Sequence, residues 1–220
     1  MAETKDKLVT VEILDYIYDK LSRKIEDSLT GVSPSTLTIT SFSSNPSSVE
    51  MGSTVNSVTL TWKLSKPASS ITLDGNVISD TDTSGTISYN GLNLKSTKTW
   101  TLKATDEKGT SDTETTSITF LNRVYYGAAS SFSTSLDSVL SSSAVKEFTA
   151  NAKSGEYIWY ALPSRMGACS FSVGGFDGGF SLIETINVTN RSGYSEPYYI
   201  YRSDNANLGS TNVSVKKKEV

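Results

Sequence analysis

The chain has no histidine and a single cysteine in 220 residues. Without histidine it lacks the commonest general base and the commonest transition-metal ligand, so no catalytic residue and no metal or organic cofactor is expected. Cys169 alone cannot form an internal disulfide. It lies in the stretch Cys169-Ser170-Phe171-Ser172-Val173, which predicts a small buried apolar residue rather than a nucleophile. Charge is also scarce, at 20% of residues with a net charge of -3. That balance lacks the basic surface a nucleic-acid partner requires. Lys216-Lys217-Lys218 is a local exception, expected to be a solvated tail. No segment approaches the ~18 apolar residues of a membrane span, so no membrane insertion is expected. Met1-Ala2-Glu3-Thr4-Lys5-Asp6 has no apolar core, so no signal peptide is expected either.

Ser and Thr are abundant, together roughly 30% of the chain against a usual share well below that. Such residues suit exposed strand faces and turns. The chain changes character twice. From Lys5 to Leu29, the apolar residues Leu8, Val11, Leu14, Ile17, Leu21, Ile25 and Leu29 recur every three or four positions. This is one helical stripe, and charged residues such as Asp15, Asp19, Lys20, Arg23 and Lys24 lie off it. Gly31 and Pro34 stop the helix, and Ser33-Pro34-Ser35 reads as a linker. The stripe must be buried against the chain's own domain, copies of itself or a partner; the linker favours the latter two, so these seven residues are the candidate oligomerisation surface. The stripe is not a strict heptad, and its mixture of Ile and Leu does not specify a dimer; a homotrimer is the preferred expectation.

From residue 35 to 122 the period becomes two. Val58, Leu60, Trp62 and Leu64 alternate with polar residues, as do Trp100, Leu102 and Ala104. Asp74-Gly75-Asn76 between Ile71-Thr72-Leu73 and Val77-Ile78 is a hairpin signal, and Asp106 to Gly109 is another turn. About seven short strands with Trp62 and Trp100 as core candidates predict an immunoglobulin-like β-sandwich. Residues 123 to 220 are richer in Gly and Tyr and predict a second small, β-sandwich-like module. Its expected strands are Lys146 to Ala150, Glu156 to Leu162, Cys169 to Val173, Phe180 to Asn190, Pro197 to Arg202 and Thr211 to Val215. The Ser-rich stretch Ser130 to Ser143 is read as a link with a helical turn at Leu136, Val139 and Leu140. The fold class is therefore mainly β, with an N-terminal helix over 1–34, a sandwich over 35–122 and a C-terminal β module over 123–220.

Two motifs with possible ligand chemistry fall short. Gly174-Gly175-Phe176-Asp177-Gly178-Gly179 is a strand turn whose glycines permit positive φ; no Lys-Ser/Thr follows, as a phosphate loop would need. Asp80-Thr81-Asp82-Thr83-Ser84-Gly85 carries loop carboxylates but lacks the ladder of a calcium loop. Glu184 reads as an outward strand side chain.

The segments Phe42-Ser43-Ser44-Asn45-Pro46, the Trp62 strand, Gly91-Leu92, Thr99-Trp100-Thr101-Leu102 with Asp106 to Gly109, Arg123-Val124-Tyr125-Tyr126-Gly127 and Tyr198-Tyr199-Ile200-Tyr201-Arg202-Ser203 together give a pattern that resembles structural proteins of tailed bacteriophages infecting Gram-positive hosts. The resemblance covers most of the chain. It implies a non-enzymatic virion component made in the host cytoplasm: a homo-oligomeric fibre or appendage subunit. Its partners would be its own copies, other virion proteins through the helix, and host surface glycans. Tail fibre, baseplate component and capsid fibre remain open. The alternative class is a cell-surface adhesin or carbohydrate-binding module with the immunoglobulin-like unit as spacer.

The candidate binding residues lie in the last module. Tyr157 and Trp159 share one face of a strand, and Tyr199 and Tyr201 share one face of another. Tyr and Trp supply contact area with a polar handle. If each sheet has one core face, some of these rings must face outward. Trp159, Tyr199 and Tyr201, with Arg202, Asp204 and Asn205 in the adjoining turn, are the expected recognition surface, and core or subunit contact is the competing role for the same rings.

Overall fold

The structure, a computed structural model, describes residues 11–29, 36–144 and 147–218. Gly31, Pro34 and the Ser33-Pro34-Ser35 link lie outside the described residues, as do Leu8, Lys146 and Lys5 to Thr10. The chain is mainly β with one N-terminal helix, α1 (Val11–Leu29). On α1 the spacing of three and four places Leu14, Ile17, Leu21 and Ile25 on one side, the side chains of Val11 and Leu29 lying outside the described residues, while Asp19 and Arg23 pair at 3.8 Å one turn apart and the Lys20 ammonium lies over the Tyr16 ring.

The first β unit comprises β1 (Ile39–Asn45), β2 (Ser48–Glu50), β3 (Val55–Leu64), β4 (Ser70–Leu73), β5 (Asn76–Ile78), β6 (Ser84–Leu94), β7 (Lys98–Thr105) and β8 (Ser111–Ala129). One sheet has the order β1-β3-β6; the other runs β5-β4-β7-β8, with β2 parallel to β8. The first strand thus switches sheets after Asn45, and the two sheets face each other as an immunoglobulin-like sandwich. Period-two alternation turns Val58, Leu60, Trp62 and Leu64 of β3 inward against Ile71, Leu73, Trp100, Leu102 and Ile118 of the facing sheet. Trp62 sits opposite Gly85 on β6, and a Cβ at Gly85 would fall inside the indole, so the missing side chain is what admits the ring. The β4–β5 hairpin turns at Asp74 (φ 50°) and Gly75 (φ 82°), the twin positive φ values of a type I′ turn. The Asp74 carboxylate accepts the Thr101 amide N–H at 2.9 Å, which ties the turn to β7.

The second unit comprises the C-terminal half of β8 with β9 (Asp137–Ser141), β10 (Glu147–Ala152), β11 (Tyr157–Pro163), β12 (Cys169–Val173), β13 (Phe176–Asp177), β14 (Phe180–Thr189), β15 (Ser195–Ser203) and β16 (Gly209–Lys217). Its first sheet has the order β14-β15-β11-β8, with β9 on the far side of β8; its second is β10-β16-β12-β13. β8 belongs to both units. Along one edge it pairs with β7 through Ile118 and then with β11 from Tyr125; along the other it pairs with β2 at Thr119–Leu121 and then with β9 from Asn122. The apolar cores remain separate, one between residues 37 and 120 and the others between 124 and 215.

Two expectations need correction. The stretch 130–143 holds no helical turn at Leu136, Val139 and Leu140: residues 137–141 form β9, because the open edge of β8 offers them a full antiparallel ladder. Lys216 and Lys217 are not a free tail, since they pair with Ser170 and Cys169 on β12.

The β7–β8 turn is organised by Asp106. Its carboxylate accepts the amide N–H groups of Lys108 (3.0 Å) and Thr110 (2.9 Å), and the Lys66 ammonium lies 3.2 Å away. Desolvation pushes this carboxyl up, but the Thr110 amide, Lys66 and the Lys108 amide together hold it below its ordinary value of 3.8. A lowered folded-state pKa adds stability that is present above about pH 4 and lost as pH falls through the folded value. Asp106→Asn should therefore lower the melting temperature at pH 6 and flatten its decline between pH 4 and pH 2. A decline parallel to that of the wild type would show that Asp106 is not responsible. Trp62→Ala should cost about 3–5 kcal/mol, read as an earlier denaturant midpoint for the first unit; an unshifted midpoint would refute the packing of Trp62 described above.

Candidate functional site

The aromatic residues of the last module come from three adjacent strands. β11 has Tyr157, Trp159 and Tyr160; β8 brings Tyr125 and Tyr126; β15 brings Tyr198, Tyr199 and Tyr201. Register pairs Tyr160 with Tyr126 and Tyr201, and Trp159 with Gly127 and Arg202. Directly opposed residues share a face, so Tyr160 and Tyr201 point to one side of the sheet while Trp159 and Arg202 point to the other.

Both sides are covered. On one, the second sheet packs Phe148 against Tyr160, with rings stacked at 5.9 Å; Phe171 also meets Phe180 at 4.4 Å and Tyr201 at 4.9 Å. On the other, the segment before β9 lays Phe132 over Tyr125 and Trp159, with Val188 and Ile200 completing the cluster. The polar handles of the rings are satisfied inside. The Trp159 indole N–H donates to the Ala129 carbonyl at 3.0 Å, the Tyr198 hydroxyl donates to the Arg123 carbonyl at 2.8 Å, and the Tyr201 hydroxyl accepts the Cys169 amide N–H at 3.0 Å. Burial pushes the hydroxyls of Tyr125, Tyr198 and Tyr201 above their ordinary range and the Cys169 thiol up to about 11. Such a thiol is un-ionised near neutrality.

This corrects the expected recognition surface. Trp159 and Tyr201 are buried, on opposite faces, because the sheet has two covered faces rather than one. Tyr199 is half-buried beside Tyr201. The Arg202 guanidinium lies 4.3 Å from the Tyr157 ring centroid and 5.8 Å from that of Trp159, so it closes the edge of a core. Asp204 and Asn205 are exposed, but Asp204 accepts the Ser181 hydroxyl and the Asn205 carbonyl accepts the Ser203 hydroxyl. The six residues do not converge on one site.

The loop carboxylates are committed locally, since Asp80 accepts the Asp82 amide N–H at 3.0 Å. Among the described residues, no group of three or more acidic, cysteine or histidine side chains is placed to hold a metal ion. A cavity of about 930 Å³ is an open groove on the second sheet lined by charges of both signs, with Glu147 and Asp177 against Arg165, Lys216 and Lys217, and with no aromatic ring among its lining residues.

Sequence reasoning missed the junction between the units. Arg123 Nε donates to Glu50 at 2.9 Å and its Nη1 to Ser138 at 3.1 Å. Arg165 bridges Glu196 (3.0 Å) and Asn122 (2.7 Å). The turn after β2 docks on the turn after β14: the Asn190 amide donates to the Met51 carbonyl at 2.7 Å, and Gly52, at φ 86°, lies so close to Tyr194 that an added Cβ would come within 2.6 Å of it. The signal available was the Met51-Gly52 pair before a strand, which marks a turn but not its partner.

The exposed apolar side chains lie elsewhere. On α1, Leu14, Ile17, Leu21 and Ile25 are each about half exposed, at 46–57%. On β14, Leu182, Ile183 and Ile186 are exposed, and Phe176 stands almost free at the β12–β13 hairpin. Compared with known proteins, the chain matches no protein-family model and no curated protein.

Tyr201→Phe would leave the buried Cys169 amide N–H without its acceptor, at a cost of about 1–3 kcal/mol. The melting temperature should drop while the assembled mass stays the same. A surface ring would give an unchanged melting temperature.

Proposed function

We propose that this chain is a non-enzymatic structural subunit of a tailed-phage virion, a fibre or appendage protein. In this reading α1 gathers the subunits into a homotrimer and attaches them to other virion proteins, and the C-terminal module makes the contact with host surface glycans. The observation that carries the reading is the unburied stripe of α1 beside β units whose cores close without it. Leu14, Ile17, Leu21 and Ile25 face solvent in the single chain. Burying each is worth roughly 1.5–3 kcal/mol, a large drive even after ordering and association costs. Ile and Leu mixed along the stripe do not specify a dimer, and a trimer is the preferred state.

The interior supports a structural rather than a chemical task. Its polar groups are spent on ring handles and on the junction, and its thiol is buried and un-ionised. The continuous β8 and the Gly52–Tyr194 contact make the two units one stiff arm, as a spacer between attachment and contact requires. With Trp159 and Tyr201 inside, glycan contact falls to exposed groups: Asp204, Asn205 and the Phe176 hairpin.

Replacing Leu14 and Leu21 by Ser in the full chain should reduce the assembled mass to one third by analytical ultracentrifugation, with the β units still melting as in the wild type. An unchanged mass would remove α1 as the assembler. Mass spectrometry of purified particles that encode the chain should find it at a copy number divisible by three, and its absence from the particles would refute the virion assignment.

A further inference from the structure

The second sheet of the C-terminal unit keeps one face inside and turns the other to solvent. Phe171, Val213 and Val215 point into the core, so the residues alternating with them share the outer face. Register sets out that face row by row. Glu147 on β10 opposes Ser214 on β16, Ser214 opposes Ser172 on β12, and Ser172 opposes Asp177 on β13. In the next outward row, Lys216 opposes Ser170. Adjacent strands lie about 4.8 Å apart, so the backbones of Glu147 and Asp177 stand about 14 Å apart with only serine between them. Short side chains on the two central strands and longer ones on the outer strands make a trough. The groove of about 930 Å³ lies over it, and a second cavity of about 420 Å³ shares Ser172, Asp177, Ser214 and Lys216 with that groove. Volumes of this order suit a small-molecule site.

The polar groups around the trough are held apart from one another. The side chains of Asp177, Lys216 and Lys217 have no hydrogen-bond or ion-pair partner among the described residues, and the Ser214 hydroxyl reaches Glu147 only at 3.5 Å. Charges of opposite sign thus line one groove without neutralising each other. We infer that the trough binds a neutral, hydroxyl-rich saccharide. An anionic ligand would face Glu147 and Asp177, and a cationic one would face Lys216 and Lys217. A sugar hydroxyl both donates and accepts, so it suits the carboxylates, the ammonium groups and the serine hydroxyls alike. Hydrogen bonds to charged groups are the stronger kind, and here they act without ring stacking. Trp159 and Tyr201 are buried, and Phe176 opposes Val173 on the other face of the sheet. The inference rests on the glycan contact proposed above and narrows it to this one face of the module.

The full chain, applied to a printed array of neutral, uronic-acid, sulfated and phosphorylated oligosaccharides, should bind among the neutral ones. Asp177→Ala should weaken that binding about tenfold, the loss expected for one hydrogen bond to a charged group. Its melting temperature should not move, because the carboxylate has no partner within the chain. Ser172→Tyr should fill the floor of the trough and abolish binding. Glycan binding that survives both Asp177→Ala and Ser172→Tyr would overturn the trough while leaving the glycan reading in place, and its loss on joint replacement of Asp204 and Asn205 by Ala would then locate the contact there. A preference for the charged oligosaccharides would overturn the neutral class. Binding to no oligosaccharide on the array would overturn the trough and the glycan contact together.

Discussion

The constraint on which the rest depends is the unbroken backbone ladder of β8. A strand of 19 residues is long for a globular domain, and here it serves two cores in turn. Its amide and carbonyl groups are handed from β7 to β11 on one edge and from β2 to β9 on the other. A bend at residues 119–126 would break the ladder to β2 and β9, which runs without a gap across the join. Orientation between the units is therefore held by hydrogen bonds that neither unit can give up without exposing unpaired backbone groups. The polar junction follows from this. Asn122, Arg123, Arg165 and Glu196 lie where two apolar cores end: Arg165 joins Asn122 to Glu196, and Arg123 joins Glu50 to Ser138. The Gly52–Tyr194 contact adds a second strut beside the first.

The same strand explains the fate of the aromatic residues. In the second unit, β8 and β11 lie in the middle of a sheet that is covered on one face by β10, β16 and β12 and on the other by the segment carrying Phe132 and Leu136. A central strand with two covered faces has no outward position. A buried Tyr or Trp needs an internal partner for its N–H or O–H, and backbone groups of Ala129, Arg123 and Cys169 serve Trp159 on β11 and Tyr198 and Tyr201 on β15. The aromatic abundance is thus how a small module gains enough buried area. Among the described residues, large apolar side chains stay exposed at α1, at β14, at the Phe176 hairpin and at Val77 and Val139.

In our proposal assembly resides at α1. A helical stripe is satisfied by side-chain packing and accepts several stoichiometries, and the β units leave it uncovered in the single chain.

Local pattern alone determined a good deal of this protein. The period of two over residues 58–64 and 100–104 named the inward residues, since alternate side chains on a strand must share a face. Asp74-Gly75 named its turn because few other pairs accept two positive φ values. The helical spacing marked α1, and the strand from Cys169 to Val173 was legible to the residue. None of those signals counts covered faces. Alternation says that Arg202 lies apart from Tyr201; that Trp159 shares a face with Arg202 comes from the β11–β15 register, and whether both sides are dry depends on what packs there from residues 132 and 148, distant in sequence. In the same way, Ser- and Leu-containing residues 137–141 have no strong preference of their own, and the free edge of β8 made them a strand. Tertiary structure decided these points, along with the join between the units, because they rest on which backbone edges and apolar faces meet, a matter of long-range contact that no local window of the chain contains.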